Sequence, residues 1–295
     1  RPADSGFFAQ ANLFLRLFLE LQQRQDEFDL VHAHAFDWPA FVGSALLTRL
    51  PIFHTLHLPA VSPEINEALH VFHQQGHPLT LITVSKACAR TYAAYTPMDA
   101  IIYNGLDSST IPFVASVPEN APLLFAGRIA PEKGVEAAIE IAERAGRHLL
   151  IAGGIYDATY YNERIVPLLE RSSERVTYLG QLEHTQLWQL MGQARGLLFP
   201  IEWDEPFGLV AVEAMAAGTP VIAFRRGAAE EIIRTGETGF LVEAGNCEHA
   251  AALVDQLASL SRARCRAHVE QYFSFEHMLD EHERLYTSTS QKIER

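Results

Sequence analysis

Short apolar runs recur along the second half of the chain, separated by stretches with helical periodicity. The runs fall at 123–127, 148–154, 176–180, 196–200, 220–224 and 240–242. Helical patterns lie between them near 131–145, 158–171, 184–194, 208–217 and 228–234. Short strands alternating with helices predict a doubly wound parallel sheet of the α/β class. Pro131 suits a first helical turn, where a missing N–H costs nothing, and Gly180, Gly218 and Gly239 punctuate element ends.

The first half repeats the alternation with fewer units. Strands are expected at 29–34, 52–57, 80–85 and 101–105, and helix starts at Asp37 with Pro39 and at Ser62 with Pro63. A leading helix over about 8–24 keeps a thin polar stripe of Asn12, Arg16, Glu20 and Gln23, so most of its remaining surface is expected to be buried. The proline-bearing segment 112–122 reads as a linker. This divides the chain into a first domain over 1–111, a second over 123–270, and a terminal helix over 271–295 that packs back toward the first domain. Beyond Asn246 the pattern is helical, with caps at Asn246 and Ser274.

Charge narrows the partners. Lys and Arg total 23 against 36 Asp and Glu, a net charge of −13, which speaks against nucleic acid and against a polybasic membrane anchor. No run is long and apolar enough to span a bilayer, although peripheral membrane contact stays open. Three scattered cysteines, Cys88, Cys247 and Cys265, suit a reducing compartment and a cytoplasmic location.

Open α/β sheets bind ligands at the carboxyl ends of their strands, so the chemistry is sought there. After the first strand of the second half comes GRIAPEKG (127–134), with Arg128 and Lys133 beside a helix start. Two cations at a helix N-terminus make an anion site, most simply for a diphosphate. Two surface cations without a ligand are the alternative on this motif alone. The loop is not a Walker A motif, because Val135 follows Lys133-Gly134. After the fourth strand, an acidic loop with Glu205 leads through Phe207-Gly208 into an apolar helix that carries Glu213. A carboxylate among Ala211, Val212, Ala214 and Met215 must find partners, either ligand hydroxyls or an internal salt bridge.

AGRIAPEKG followed by EPFGLVAVEAMAAGTPVIA resembles the donor-binding half of glycosyltransferase family 4. FDLVHAH, HTLH, TVSKACA, IYNGLD, YLGQL and ETGFLV stand in the family's order, so the likeness runs from about residue 28 to 245. The resemblance implies the GT-B fold, two facing Rossmann-like domains, and a retaining transfer from a nucleotide sugar. Carried over, Arg128 and Lys133 neutralise the donor diphosphate, and Glu213 holds the ribose hydroxyls. Glu205, with the backbone of Phe207, Gly208 and Leu209, faces the transferred sugar and the phosphates. Gly127 and Gly154 also line the donor site, and Leu182, after Gly180, borders the nucleobase. His57 matches the histidine near the reacting sugar, which makes Arg128, Lys133, Glu205 and His57 the expected catalytic set. Asn104-Gly105 matches a loop to which no chemistry is assigned. The chain starts at Arg1, and the family pattern, which opens with a strand and a glycine-rich loop, implies that roughly two βαβ-sized pieces, about 60 residues or more, are absent from the given sequence. Either the sequence omits an N-terminal region or the protein is a reduced form.

The expected reaction displaces a nucleoside diphosphate, by family frequency UDP, from a sugar by an acceptor hydroxyl. No metal or cofactor is expected, since cations and helix N–H groups meet the leaving charge and no Asp-x-Asp motif is present. The acceptor could be a small molecule, a glycan or a lipid-linked compound. An epimerase on the same fold, or an inactive nucleotide-sugar-binding protein, are the alternatives. A Rossmann dehydrogenase is disfavoured, because no G-x-G-x-x-G follows any strand.

Among 13 histidines, His70, His73 and His77 have near-metal spacing, but Gly76 and Pro78 end their helix, and a solvated helix end is expected. His32 and His34 are expected on opposite faces of their strand, one lining the cleft and the other satisfied in the core.

Overall fold

The computed structural model describes residues 6–293 except Asp37, Ala45, Thr48 and Pro78. Arg1 and the expected helix starter Asp37 therefore lie outside the described residues, as does Pro78 of the expected helix stop. The chain divides into two compact units, Arg1–Tyr103 with Leu279–Arg295, and Asn104–Met278.

The first unit holds a parallel sheet of β1 (Val31–Ala33), β2 (Ile52–Leu56), β3 (Leu79–Thr83) and β4 (Ala100–Ile101), in that spatial order. Val31 pairs with Ile52, and Ile52 with Leu79. All five residues of β2 are buried, as a central parallel strand requires. One core cluster gathers Phe41, Leu56, Ile65, Leu69, Leu81, Cys88 and Tyr92. Each large apolar side chain there contributes about 1.5–3 kcal/mol. Ser62 caps the helix Pro63–Gln74 by accepting from the Ile65 N–H, and Ser85 caps Lys86–Tyr92 by accepting from Cys88.

The leading helix, Gly6–Gln23, is less buried than its composition suggests. Phe14, Phe18 and Leu21 pack with Leu47 and Ile52, but Leu13, Leu15, Leu17 and Leu19 are exposed. The reason is geometric. The helix packs on the short helix Trp38–Ser44 along one side, so one stripe is covered.

The second unit is a six-stranded parallel sheet of β5 (Leu123–Ala126), β6 (Leu149–Ala152), β7 (Val176–Gly180), β8 (Gly196–Phe199), β9 (Val221–Phe224) and β10 (Gly239–Val242). Its spatial order is β10-β9-β8-β5-β6-β7, the doubly wound arrangement read from the pattern. The chain leaves β5 toward β6 and leaves β8 toward β9, so the switch point lies between β5 and β8.

The segment 112–122 carries no regular element and belongs to the second unit. Val114 N–H donates to the Ala217 carbonyl, and the Val114 carbonyl accepts from buried Arg262. That guanidinium also donates to the carbonyls of Gly192 and Ala194 and to Thr219 Oγ1, so its burial is compensated. The boundary between units therefore falls at Tyr103/Asn104 and not at 112–122. The terminal helix Phe275–Ile293 begins in the second unit and continues in the first. Its Ser274 cap accepts from His277 N–H, and Asn246 likewise caps Cys247–Leu253.

Candidate active site

The loops after β5 and β8 meet at the switch point. The β5 loop ends in a 3-10 turn, Pro131–Lys133, and the α-helix begins only at Val135. Gly134 separates the two with φ +72, and a Cβ there would overlap the Pro200 carbonyl oxygen. Glycine thus lets the Lys133 loop lie directly on the end of β8. The glycines after β5 and β6 serve a similar close approach. A Cβ on Gly153 would strike the Gly127 carbonyl, and one on Gly154 would stand 3.0 Å from Gln181 Oε1.

Lys133 Nζ and Glu205 Oε2 are 2.5 Å apart, with side chains only 13% and 14% exposed. Trp203 Nε1–H donates to the same Glu205 oxygen at 2.6 Å, and its ring lies 5.2 Å from the ammonium. Glu205 is held through its backbone as well, its N–H donating to Trp203 O and its carbonyl accepting from Ala228 N–H. Gly227 packs so tightly beneath it that a Cβ would overlap the Glu205 backbone. Arg128 is 49% exposed, lies 4.4 Å from the Tyr156 ring centre, and sits 3.6 Å from Glu132.

Gly208, with φ +96, opens the helix Leu209–Ala216, which has no side-chain cap. First-turn N–H groups of such a helix are free to meet a ligand. Phe207 is buried edge-on against Phe273, their centres 5.7 Å apart, while Leu209 is exposed. Farther along, Glu213 forms no ion pair among the described residues, so the internal salt bridge is not realised. Burial pushes its carboxyl above the usual range. The Trp188 indole N–H and the His184 ring oppose the shift, although Trp188 stops short of full hydrogen-bond geometry. Leu182 is half-buried just past β7. Asn104-Gly105 lies elsewhere in the unit, and a Cβ on Gly105 would overlap the Ser274 carbonyl.

In the first unit His57 follows β2, and its Nε2 lies 2.9 Å from His34 Nδ1. His32 and His34 share one face, their ring centres 4.1 Å apart, which corrects the opposite-face expectation. Residues two apart point the same way in a strand. His32 is satisfied by Thr55 Oγ1 and Tyr286 Oη. His70 meets the Tyr95 carbonyl and Gln74, and His77 packs on Phe72, leaving His73 as the solvated member of that trio.

The structure therefore brings Lys133 and Glu205 into contact, sets Arg128 on the same β5 loop, and starts the Gly208 helix behind Glu205. Trp203 and Tyr156 were not anticipated. Trp203 stands in the same loop as Glu205, two residues before it, whereas Tyr156 comes from the loop after β6, where no charged group was proposed.

A doubly wound six-stranded sheet with a second parallel sheet in the same chain is the GT-B architecture. The chain belongs to the family described as glycosyl transferases group 1, matched over residues 109–272, and residues 2–110 match Glycosyltransferase Family 4. A glycogen synthase of Mycobacterium tuberculosis is 31% identical over 266 residues, 80% of this chain and 63% of the relative. A phosphatidyl-myo-inositol mannosyltransferase of Mycobacterium leprae is 32% identical over 252 residues, 80% and 65%. The chain thus spans under two thirds of the length of these relatives. The HepE protein of Anabaena, solved in complex with UDP-glucose, superposes with a TM-score of 0.74 at 23% identity, covering 92% of this chain and 82% of that one. Among the described residues no helix is long and apolar enough to cross a membrane.

Proposed function

We propose that the protein is a retaining glycosyltransferase that moves a sugar from a nucleoside diphosphate sugar, UDP by preference, to an acceptor hydroxyl. The observation that carries this reading is the Lys133–Glu205 pair at the switch point, next to an uncapped helix start. An ammonium so placed can turn to a diphosphate, while the carboxylate is left to face the sugar. UDP-glucose in HepE, and the sugar-transferring names of the curated relatives, support the donor class.

The leaving diphosphate gains negative charge as the sugar becomes oxocarbenium-like. Lys133, Arg128 and the N–H groups at Gly208–Leu209 supply fixed positive charge where that develops. The reading needs no divalent metal. Glu213 accepts hydrogen bonds from the ribose hydroxyls, Leu182 borders the base, and Gly127 and Gly154 let backbone approach the donor. His57 acts near the reacting sugar. A cytoplasmic setting fits the three free buried cysteines.

A thermal-shift panel of UDP, GDP and ADP tests the donor. A ligand at 100 times its Kd adds about 2.7 kcal/mol. UDP should give the largest shift, and free UDP should be released from a UDP-sugar only with acceptor present. Release of an epimerised UDP-sugar instead would replace transfer with isomerisation. No shift with any of the three nucleotides would remove the donor site itself.

A further inference from the structure

His34 and His57 end adjacent parallel strands. β1 and β2 run side by side with Ala33 opposite His54, which brings the residues just beyond them together. The rings lie 5.3 Å apart, nearly parallel at 27°, with His34 Nδ1 2.9 Å from His57 Nε2. Between two neutral imidazoles that distance holds one proton, donated by one ring and accepted by the other. The tautomers are therefore linked. If His34 donates from Nδ1, His57 accepts at Nε2 and carries its own proton on Nδ1. If His57 donates, its Nδ1 is a bare acceptor.

Two further rings stand near the pair: His282, whose charge would oppose a proton on either ring, and His32. His32, its ring centre 4.1 Å from that of His34, already has both nitrogens occupied, by Tyr286 and Thr55. His54 is fully buried on the other side, stacked on Phe41 at 4.8 Å. Burial also favours the neutral form of both His34 and His57. Among the described residues Nε2 is the His57 nitrogen with a hydrogen-bond partner, so Nδ1 is the atom it can offer a substrate.

We propose that His34 is a positioning residue for His57, fixing its ring and tautomer through the Nδ1–Nε2 hydrogen bond so that His57 presents Nδ1 to the reacting sugar. This rests on the reading of His57 as a residue of the transfer site.

The test combines kinetics with ring 15N NMR on the full chain. His34→Ala should lower kcat between about 10-fold and 100-fold, the scale of a small misplacement, with donor KM nearly unchanged. His34→Asn, whose side-chain amide can stand where Nδ1 does, should recover most of the loss. The double variant His34→Ala/His57→Ala should be no worse than His57→Ala alone. The His57 ring should show one tautomer in the wild type and in His34→Asn, and averaged nitrogen shifts in His34→Ala. Unchanged His57 shifts in His34→Ala, or losses that multiply in the double variant, would overturn the inference. Full kcat in His57→Ala would instead refute the role of His57, and the positioning role with it. Impaired His57→Ala beside an unimpaired His34→Ala would refute the positioning role alone.

Discussion

Glu205 Oε2 accepts from both Lys133 Nζ, at 2.5 Å, and Trp203 Nε1, at 2.6 Å. The cation assigned to the diphosphate is thus already neutralised by the carboxylate assigned to the sugar. Each group is costly to leave alone in a site that is nearly closed to water, so the pair acts as a stored counter-charge until a donor arrives. The two residues are best perturbed together as well as singly.

Arg128 is the cleaner probe of the phosphate site, because it is half exposed and leaves no buried partner behind. Arg128→Ala should weaken UDP binding about 10-fold to 100-fold, at roughly 1.5–3 kcal/mol per charge-assisted contact, and leave uridine binding nearly unchanged. Lys133→Ala should cost more, since it also orphans Glu205, and Lys133→Ala/Glu205→Gln should recover part of the lost stability. Calorimetry with UDP and uridine decides. Equal losses for both ligands would place the cations away from the phosphates.

Transfer should persist in excess EDTA. Lys133, Arg128 and the Gly208 helix start carry the positive field, and helix N-termini hold anions without a metal. Rates measured before and after chelation check this. Loss of activity restored by magnesium or manganese would show that a cation shares the leaving-group charge.

The strands were legible because buried parallel strands announce themselves as apolar runs, and β8 and β9 are buried at every residue. The chemistry of GRIAPEKG and of Glu205 was legible because each follows such a run. Their pairing was not, because a contact between residues 72 positions apart depends on strand order, which short-range periodicity does not encode. The stop at Gly134 was missed for a local reason. Pro131 signals a helix start, but the left-handed Gly134 ends that turn and starts a second. The π-helical turn Tyr161–Ile165 inside an apparently regular helix left no pattern either. Arg262 gave no sign of burial, since its partners are backbone carbonyls from two other segments and the Thr219 hydroxyl from a third.

Histidines should make the first unit acid-sensitive. Burial, with help from His34, pushes His54 down to about 4, and burial with neighbouring rings pushes His32 down to about 3. An unfolded histidine binds its proton near 6.5, so between that pH and the folded value the unfolded state holds more protons. The stability is complete above 6.5 and is lost as pH falls through this window. For His54 the full loss is on the order of 3 kcal/mol. His54→Leu removes a ring whose nitrogens have no hydrogen-bond partner among the described residues, and it should flatten the acid limb of urea midpoints between pH 7.5 and 4.5. An equally steep limb in that variant would assign the acid sensitivity elsewhere.

The two glutamates should fail differently. Glu213 is half-buried, has no ion pair among the described residues and is shifted upward by desolvation, so donor hydroxyls that hydrogen-bond its carboxylate must favour the charged form. UDP binding should therefore release protons at pH values above the ordinary carboxylate value of 4.5, where the free site still holds part of its proton. Calorimetry at about pH 5 in two buffers of different ionisation enthalpy measures this release. Glu213→Gln should abolish it and raise donor KM with little change in kcat, because ribose contacts are alike in ground and transition states. Glu205→Gln should do the reverse. It keeps the size of the side chain but removes the carboxylate that faces the sugar and balances Lys133, so kcat should fall while KM for the donor holds or drops as Lys133 is freed for phosphate. A donor-concentration series for each variant, with folding checked by circular dichroism, separates the cases. Proton release that survives Glu213→Gln, or a Glu205→Gln variant with full kcat, would exchange or remove the roles assigned to the two carboxylates.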